Sequence, residues 1–283
     1  MAWIEPVSTV VTAASLANEL AKNASTIKTY CKRIVTKLTS GSAIVPIFGA
    51  GGVGKSTAGK KIVGNDPLDV GAPYDESWTI EPQDLKGNIP GQVLIAPGQP
   101  ARAERYWPDL ISEANRGTSC GLVNVVCYGL HSFGIDSFTE HDLYQDGMSA
   151  EDFMIAYSAK RREDELTMLD RLLTALAPAR REFFFLTLVT KQDLWWHEKQ
   201  RVKDYYAKGL YDKKICAFGA KVGEQRFHHE YVPTSLTVAN LHSPSGELMQ
   251  ATAQGYDHAI HLRYLQCLFA KLHDLIEDHL KAT

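Results

Sequence analysis

Apolar residues along this chain fall into two periods. Short runs such as Ile44-Val45-Pro46-Ile47-Phe48 and Phe183-Phe184-Phe185-Leu186-Thr187-Leu188-Val189 are continuous, as strands buried on both faces require. Longer stretches between them repeat every three to four residues, as helices with one buried stripe do. Strands are predicted over residues 44–48, 92–96, 122–128, 183–190 and about 230–235, and helices near 55–63, 100–116, 151–177, 194–208 and 251–281. In the last of these, Tyr256, Ile260, Leu265, Leu268, Leu272, Leu275 and Ile276 make a core-facing stripe. The alternation predicts an α/β fold with a doubly wound, mostly parallel sheet.

Ahead of it, residues 8–38 lack interior Gly and Pro and place Ala14, Ala17, Ala21, Ala24, Cys31, Val35 and Leu38 at helical spacing. One long N-terminal helix is predicted, basic in its second half through Lys22, Lys28, Lys32, Arg33 and Lys37. The polar Thr39-Ser40-Gly41-Ser42 ends it, dividing a helical arm, 1–42, from a domain over 43–283. The arm has three readings, in order: packing on the domain, pairing with another chain, or lying on an acidic membrane. Gly134 to Ala150, rich in polar residues, and Ile215 to His229, alternating enough for a hairpin, read as insertions that offer partner contacts.

Composition narrows the classes. With 283 residues, 45% hydrophobic and 22% charged, the chain can bury a full core. A net charge of -3 lacks the basic footprint of a nucleic-acid binder. Five scattered cysteines without a C-x-x-C pair fit reduced thiols, hence a cytoplasmic setting. Neither a secretory leader nor an eighteen-residue apolar stretch is found, so no membrane span is expected.

The strongest signal for chemistry is Gly49-Ala50-Gly51-Gly52-Val53-Gly54-Lys55-Ser56, which satisfies G-x-x-x-x-G-K-[ST] between an apolar strand and a predicted helix. Gly49, Gly51, Gly52 and Gly54 let backbone N–H groups around Val53 converge on phosphate oxygens, and the following helix, with Thr57 in its first turn, adds its positive end. Lys55 reaches the terminal phosphates and Ser56 ligates Mg²⁺. A phosphate-binding loop, and so a P-loop NTPase fold, is expected.

After the most apolar strand comes Thr190-Lys191-Gln192-Asp193. This resembles the [NT]-K-x-D guanine motif of the Ras-like, TRAFAC-type P-loop GTPase superfamily. The resemblance extends over the phosphate loop and over Tyr231-Val232-Pro233-Thr234-Ser235-Leu236, which looks like the segment backing guanine. Ala96-Pro97-Gly98-Gln99 looks like the second switch. The resemblance implies a small-GTPase-like fold binding GTP or GDP with Mg²⁺. Asp193 would accept from the ring N–H and exocyclic amine of guanine, Lys191 would cover the base, and Ser235 and Leu236 would back it. Adenine lacks those donors, and the unpaired buried carboxylate would cost roughly 1.5–3 kcal/mol. By the same resemblance Gln99 orients the attacking water and Thr79 of the first switch closes on Mg²⁺ and the terminal phosphate.

The chain also departs from that pattern. Ile95 stands where the second switch has a metal-holding Asp, so Asp84 or Glu81 substitutes, or metal binding is weak, or hydrolysis is slow. Leu236 replaces an Ala. Arg102 and Arg105 read as solvated helix charges rather than a catalytic finger, and Lys160-Arg161-Arg162-Glu163-Asp164-Glu165 reads as a solvated helix face. The pairs His228-His229 and His258, His261 read as surface or packing residues. The expected function is a GTP-binding, GTP-hydrolysing switch acting through a protein partner at the arm, the switches or the insertions. The alternatives are an ATP-dependent STAND-like signalling NTPase and a nucleotide-locked interaction module without turnover.

Overall fold

The computed structural model describes residues 2–6, 13–40, 44–62, 81–84, 92–95, 121–178, 182–223 and 225–282. Seven strands form one sheet: β1 (Ala2–Trp3), β2 (Ile44–Phe48), β3 (Glu81–Asp84), β4 (Gln92–Ile95), β5 (Gly121–Val126), β6 (Phe183–Val189) and β7 (Phe227–Pro233). Their order is β1-β7-β6-β5-β2-β4-β3. Every neighbouring pair is parallel except β3 with β4, an antiparallel pair at one edge.

Each central strand serves two cores at once because successive side chains point to opposite faces. Leu122 and Val126 of β5, with Phe185 and Val189 of β6, face one helical layer: α3 (Ala150–Leu176), α5 (Lys199–Lys208) and α6 (Leu210–Val222). Its buried residues include Phe153, Tyr157, Leu169, Leu172, Tyr206 and Ile215. Val123 and Val125, with Phe184, Leu186 and Leu188, face the other layer: α1 (Ala13–Ser40), α2 (Lys55–Ile62) and α7 (His258–Ala282). This is why β5 and β6 read as nearly continuous apolar runs, broken within the strands at Asn124, which donates to the Tyr211 hydroxyl, and at Thr187, which bonds His229.

The long N-terminal helix packs on the domain. Ile27, Cys31 and Ile34 of α1 are buried with Leu265, Phe269 and Leu272 of α7, and Arg263 pairs with Glu19 at 2.8 Å. Before α1, Ala2 and Trp3 extend the sheet beside Glu230 and Tyr231 of β7, a strand too short for any periodic signal.

Several expectations need correction. The hairpin expected over 215–229 is the helix α6, running into β7 three residues before the predicted strand start. Tyr211, Ile215 and Phe218 at helical spacing are all buried, so this segment packs under the sheet instead of projecting as an insertion. The helix expected over 194–208 is broken into α4 (Gln192–Trp195), a 3₁₀ turn (Trp196–Glu198) and α5. The last helix starts at His258, and the chain before it forms a small antiparallel pair, β8 (Leu241–His242) with β9 (Leu248–Gln250). Residues 134–150 are not wholly a surface insertion: Phe138 is buried against Phe153. The helix expected near 100–116 lies outside the described residues.

Candidate nucleotide-binding site

The carboxyl ends of β2, β5 and β6 lie side by side, so the loops that follow them meet at one rim of the sheet, where α/β folds bind ligands. The loop after β2 carries Gly49 to Ser56. Gly49 has φ +137° and Gly52 φ +74°. A Cβ on Gly49 would lie 2.3 Å from Val125 O, and one on Gly52 would lie 2.6 Å from Ser132 N. Both positions therefore need glycine on conformational and steric grounds. Val53 is fully buried; Lys55, nearly so, donates from Nζ to Ala50 O at 2.6 Å, which lays its ammonium over the loop. Ser56 and Thr57 stand half-buried in the first turn of α2.

The loop after β6 carries Thr190 to Asp193. Thr190 Oγ1 donates to Val53 O at 2.7 Å and to Val126 O at 3.1 Å, joining this loop to the phosphate loop and to β5. Lys191 takes a left-handed conformation, φ 57°, and its Nζ donates to Ser132 Oγ at 3.1 Å. Asp193 is 1% exposed; its Oδ1 accepts from Ser235 Oγ at 2.5 Å and its Oδ2 from Ala239 N–H at 3.1 Å. The Ser235 hydroxyl also accepts the Asp193 N–H at 2.8 Å. Burial pushes the Asp193 carboxyl up from its ordinary pKa, against the pull of Ser235 and Ala239, while burial pushes the Lys191 ammonium down. Each oxygen of a carboxylate accepts two bonds, so Asp193 keeps acceptor capacity beyond the bonds from Ser235 and Ala239.

Leu236 is buried, and a Cβ at Gly54 would sit 3.5 Å from its Cδ1, so the segment after β7 touches the phosphate loop. The structure thus gathers Gly49, Gly51, Gly52, Val53, Gly54, Lys55, Ser56, Thr57, Lys191, Asp193, Ser235 and Leu236 at one rim. Thr79, Ala96 to Gln99, Arg102 and Arg105 lie outside the described residues. Of the two carboxylates weighed against Ile95, Glu81 is its register partner across β3 and β4, whereas Asp84 pairs with Gln92 at the far end.

Sequence reading missed three contributors. Ser132, in the β5–α3 loop, bonds Gly52 and Lys191 and had no motif to announce it. Ala239 acts through its backbone N–H alone. Glu165 was assigned to a solvated face, yet it is 2% exposed. It lies four residues before buried Leu169 and eight after buried Tyr157, so helical spacing places it on the core stripe. Of the two adjacent tryptophans, Trp195 is buried and donates to Thr190 O at 2.8 Å, while Trp196 packs edge-on against Tyr256 and Tyr264.

Sheet order, the strand–loop–helix unit at Gly49 to Ser56 and the flanking helices define a doubly wound, mostly parallel α/β fold carrying a P-loop. No protein-family model matches the chain, and neither does any curated protein. Among solved structures, it is similar to an ADP-ribosylation-factor-like GTP-binding protein, the small COPII coat GTPase Sar1 of Encephalitozoon cuniculi, in complex with GDP. The identity is 15% and the TM-score 0.39, over 92% of this chain and 95% of that one. It is also similar to Toc33 of Arabidopsis thaliana in complex with GDP and Mg²⁺, at 13% identity and TM-score 0.37, over 94% and 93% of the chains. A dimerization-deficient Toc33 mutant matches at 11% identity and TM-score 0.43, over 91% and 93%. No helix among the described residues is long and apolar enough to cross a membrane.

Proposed function

We propose that this protein binds GTP and GDP with Mg²⁺ and acts as a regulatory GTPase, a cytoplasmic switch read by a protein partner. The observation that carries this reading is the Asp193 carboxylate, buried at the rim beside the phosphate loop and tied to it through Thr190. A buried carboxylate with spare acceptor capacity suits the two N–H donors on the guanine edge and penalises adenine, which offers an acceptor instead. The glycine cradle that Cβ atoms would fill fits phosphate, with Lys55 placed for the terminal phosphates. Ser56 would hold Mg²⁺, which when bound neutralises charge on the phosphate oxygens. By the resemblance, Thr79 closes on the metal and Gln99 orients water, while Lys191, Ser235 and Leu236 frame the base.

A second reading, a nucleotide-locked module without turnover, is favoured by Ile95 at the end of β4, where the resembled family keeps a metal-holding Asp. One experiment separates them. The purified protein is titrated calorimetrically with GTP, GDP, ATP and ADP in Mg²⁺, and phosphate release is followed in the same samples. Guanine preference with phosphate release supports the switch, and guanine preference without release supports the locked module. Equal or tighter adenine binding removes both.

A further inference from the structure

The segment from Cys127 to Phe133, which follows β5, is fixed at both ends by polar groups. From below, Glu165 of α3 accepts the Cys127 N–H at 3.0 Å and the Gly129 N–H at 3.2 Å on Oε1, with His131 Nε2 3.2 Å away. Its Oε2 accepts the Tyr206 hydroxyl at 2.6 Å, and that hydroxyl accepts the Tyr128 N–H at 2.8 Å. One buried carboxylate, directly or through one phenol, thus engages four residues of the segment. From above, Ser132 donates to Gly52 O from its N–H at 3.0 Å and from its hydroxyl at 3.3 Å, and the hydroxyl accepts Lys191 Nζ. Tyr128 adopts φ 55°, a left-handed conformation a bulky residue takes only where its surroundings over-determine it.

We propose that Ser132, held in place by Glu165, is a positioning residue for the nucleotide: it fixes the Lys191 ammonium against the phosphate loop, so that the phosphate and base subsites form one unit. This rests on the guanine-nucleotide reading of the site. Glu165 explains itself in no simpler way. A buried carboxylate on a core stripe is costly unless its partners use it, and an apolar residue would fill the space more cheaply. Its partners here are the backbone donors that shape the segment carrying Ser132. Burial works against the Glu165 charge, yet bonds from His131, the Cys127 N–H and Tyr206 bring its pKa below the usual carboxylate value. Burial pushes the Lys191 ammonium down, and the charges of Asp193 and Glu165 only partly offset it. Cys127, His131 and Glu165 bring ligand atoms within 4.8 Å of one another, a set that would also suit a zinc ion. Protein donors already face both Glu165 oxygens, which favours the hydrogen-bonded bracket.

The test uses the full chain and three variants, Ser132→Ala, Glu165→Gln and Glu165→Ala. GDP and guanosine affinities are measured by calorimetry, and exchange of the Cys127 and Gly129 amides is followed in nucleotide-free protein. Ser132→Ala is expected to weaken GDP and guanosine by the same factor, roughly tenfold, the worth of one hydrogen bond to a charged group, with both amides still protected. Glu165→Ala is expected to expose both amides and reproduce that loss. Glu165→Gln, which keeps an oxygen for the amides and offers its NH₂ to the Tyr206 hydroxyl, restores protection and affinity. Wild-type GDP binding that Ser132→Ala leaves unchanged overturns this inference alone; wild-type protein without GDP affinity overturns the guanine reading and the inference built on it. One equivalent of zinc in the purified protein, lost in Cys127→Ser, overturns the bracket in favour of a metal site.

Discussion

Thr190 is the strut between the two halves of the site, and Thr190→Val removes it with little change of shape. The hydroxyl is 2.7 Å from Val53 O and 3.1 Å from Val126 O, at a residue only 2% exposed. Val126 O keeps a donor, the Thr190 N–H at 2.7 Å, so Val53 O bears the loss. A buried acceptor deprived of its donor costs about 1–3 kcal/mol. At about 2–4 °C per kcal/mol in a domain of this size, the melting midpoint should fall by about 4–8 °C for a loss of 2 kcal/mol. The new methyl would also stand closer to the Val53 carbonyl than van der Waals contact allows, about 3.5 Å, so the phosphate loop must move away from Asp193. GDP affinity should therefore fall by roughly three- to tenfold as well, a further loss of up to about 1.4 kcal/mol. Thr190→Ser keeps the donor and loses only a methyl, so it should retain the affinity and lose about 1 kcal/mol of stability. Thermal melts and GDP titrations of both variants decide the matter. Equal behaviour of Val and Ser in both assays would refute the strut.

Gly52→Ala should abolish nucleotide binding, measured by GDP titration, because its Cβ meets Ser132 N at 2.6 Å and φ is +74°; retained affinity would contradict the loop geometry. Burial drives the His229 pKa to about 3, whereas an unfolded His titrates near 6.5. The unfolded state thus binds the extra proton, and stability, full above pH 6.5, falls as pH drops towards 3, by about 2 kcal/mol between pH 7 and 5. His229→Gln should flatten that dependence in urea melts, since Gln does not titrate. If Glu81, in register with Ile95, replaces the missing Asp, Glu81→Gln should raise the Mg²⁺ needed for half-maximal phosphate release while Asp84→Asn does not.

What the sequence disclosed followed from how local each signal is. The phosphate loop was readable because strand, glycines, Lys55 and helix are contiguous, and β5 and β6 because burial on both faces leaves no alternation of apolar and polar residues. The helix α6 was misread because the expected hairpin began at Ile215, which separated that residue and Phe218 from Tyr211, the first member of their helical stripe. Glu165 was hidden among the charges of residues 160–164, although its helical phase matched Tyr157 and Leu169. The contacts that join the site are long-range: Ser132 and Gly52 are 80 residues apart, and Thr190 and Val53 are 137. No local pattern encodes such pairs. They arise when parallel strands bring their carboxyl ends to one rim.

The central claim is that Asp193 reads guanine, and its most direct test is to change the base that the residue prefers. Xanthine carries a carbonyl where guanine has its exocyclic amine, and Asn offers an N–H₂ donor where Asp offers only acceptors. Calorimetric titration of wild type and Asp193→Asn with GDP and xanthosine diphosphate should show GDP affinity falling at least tenfold in the variant, at about 1.5–3 kcal/mol per lost charged bond, while xanthosine diphosphate binds more tightly than to wild type. Unchanged GDP affinity in Asp193→Asn, with the melting midpoint preserved, would contradict the account.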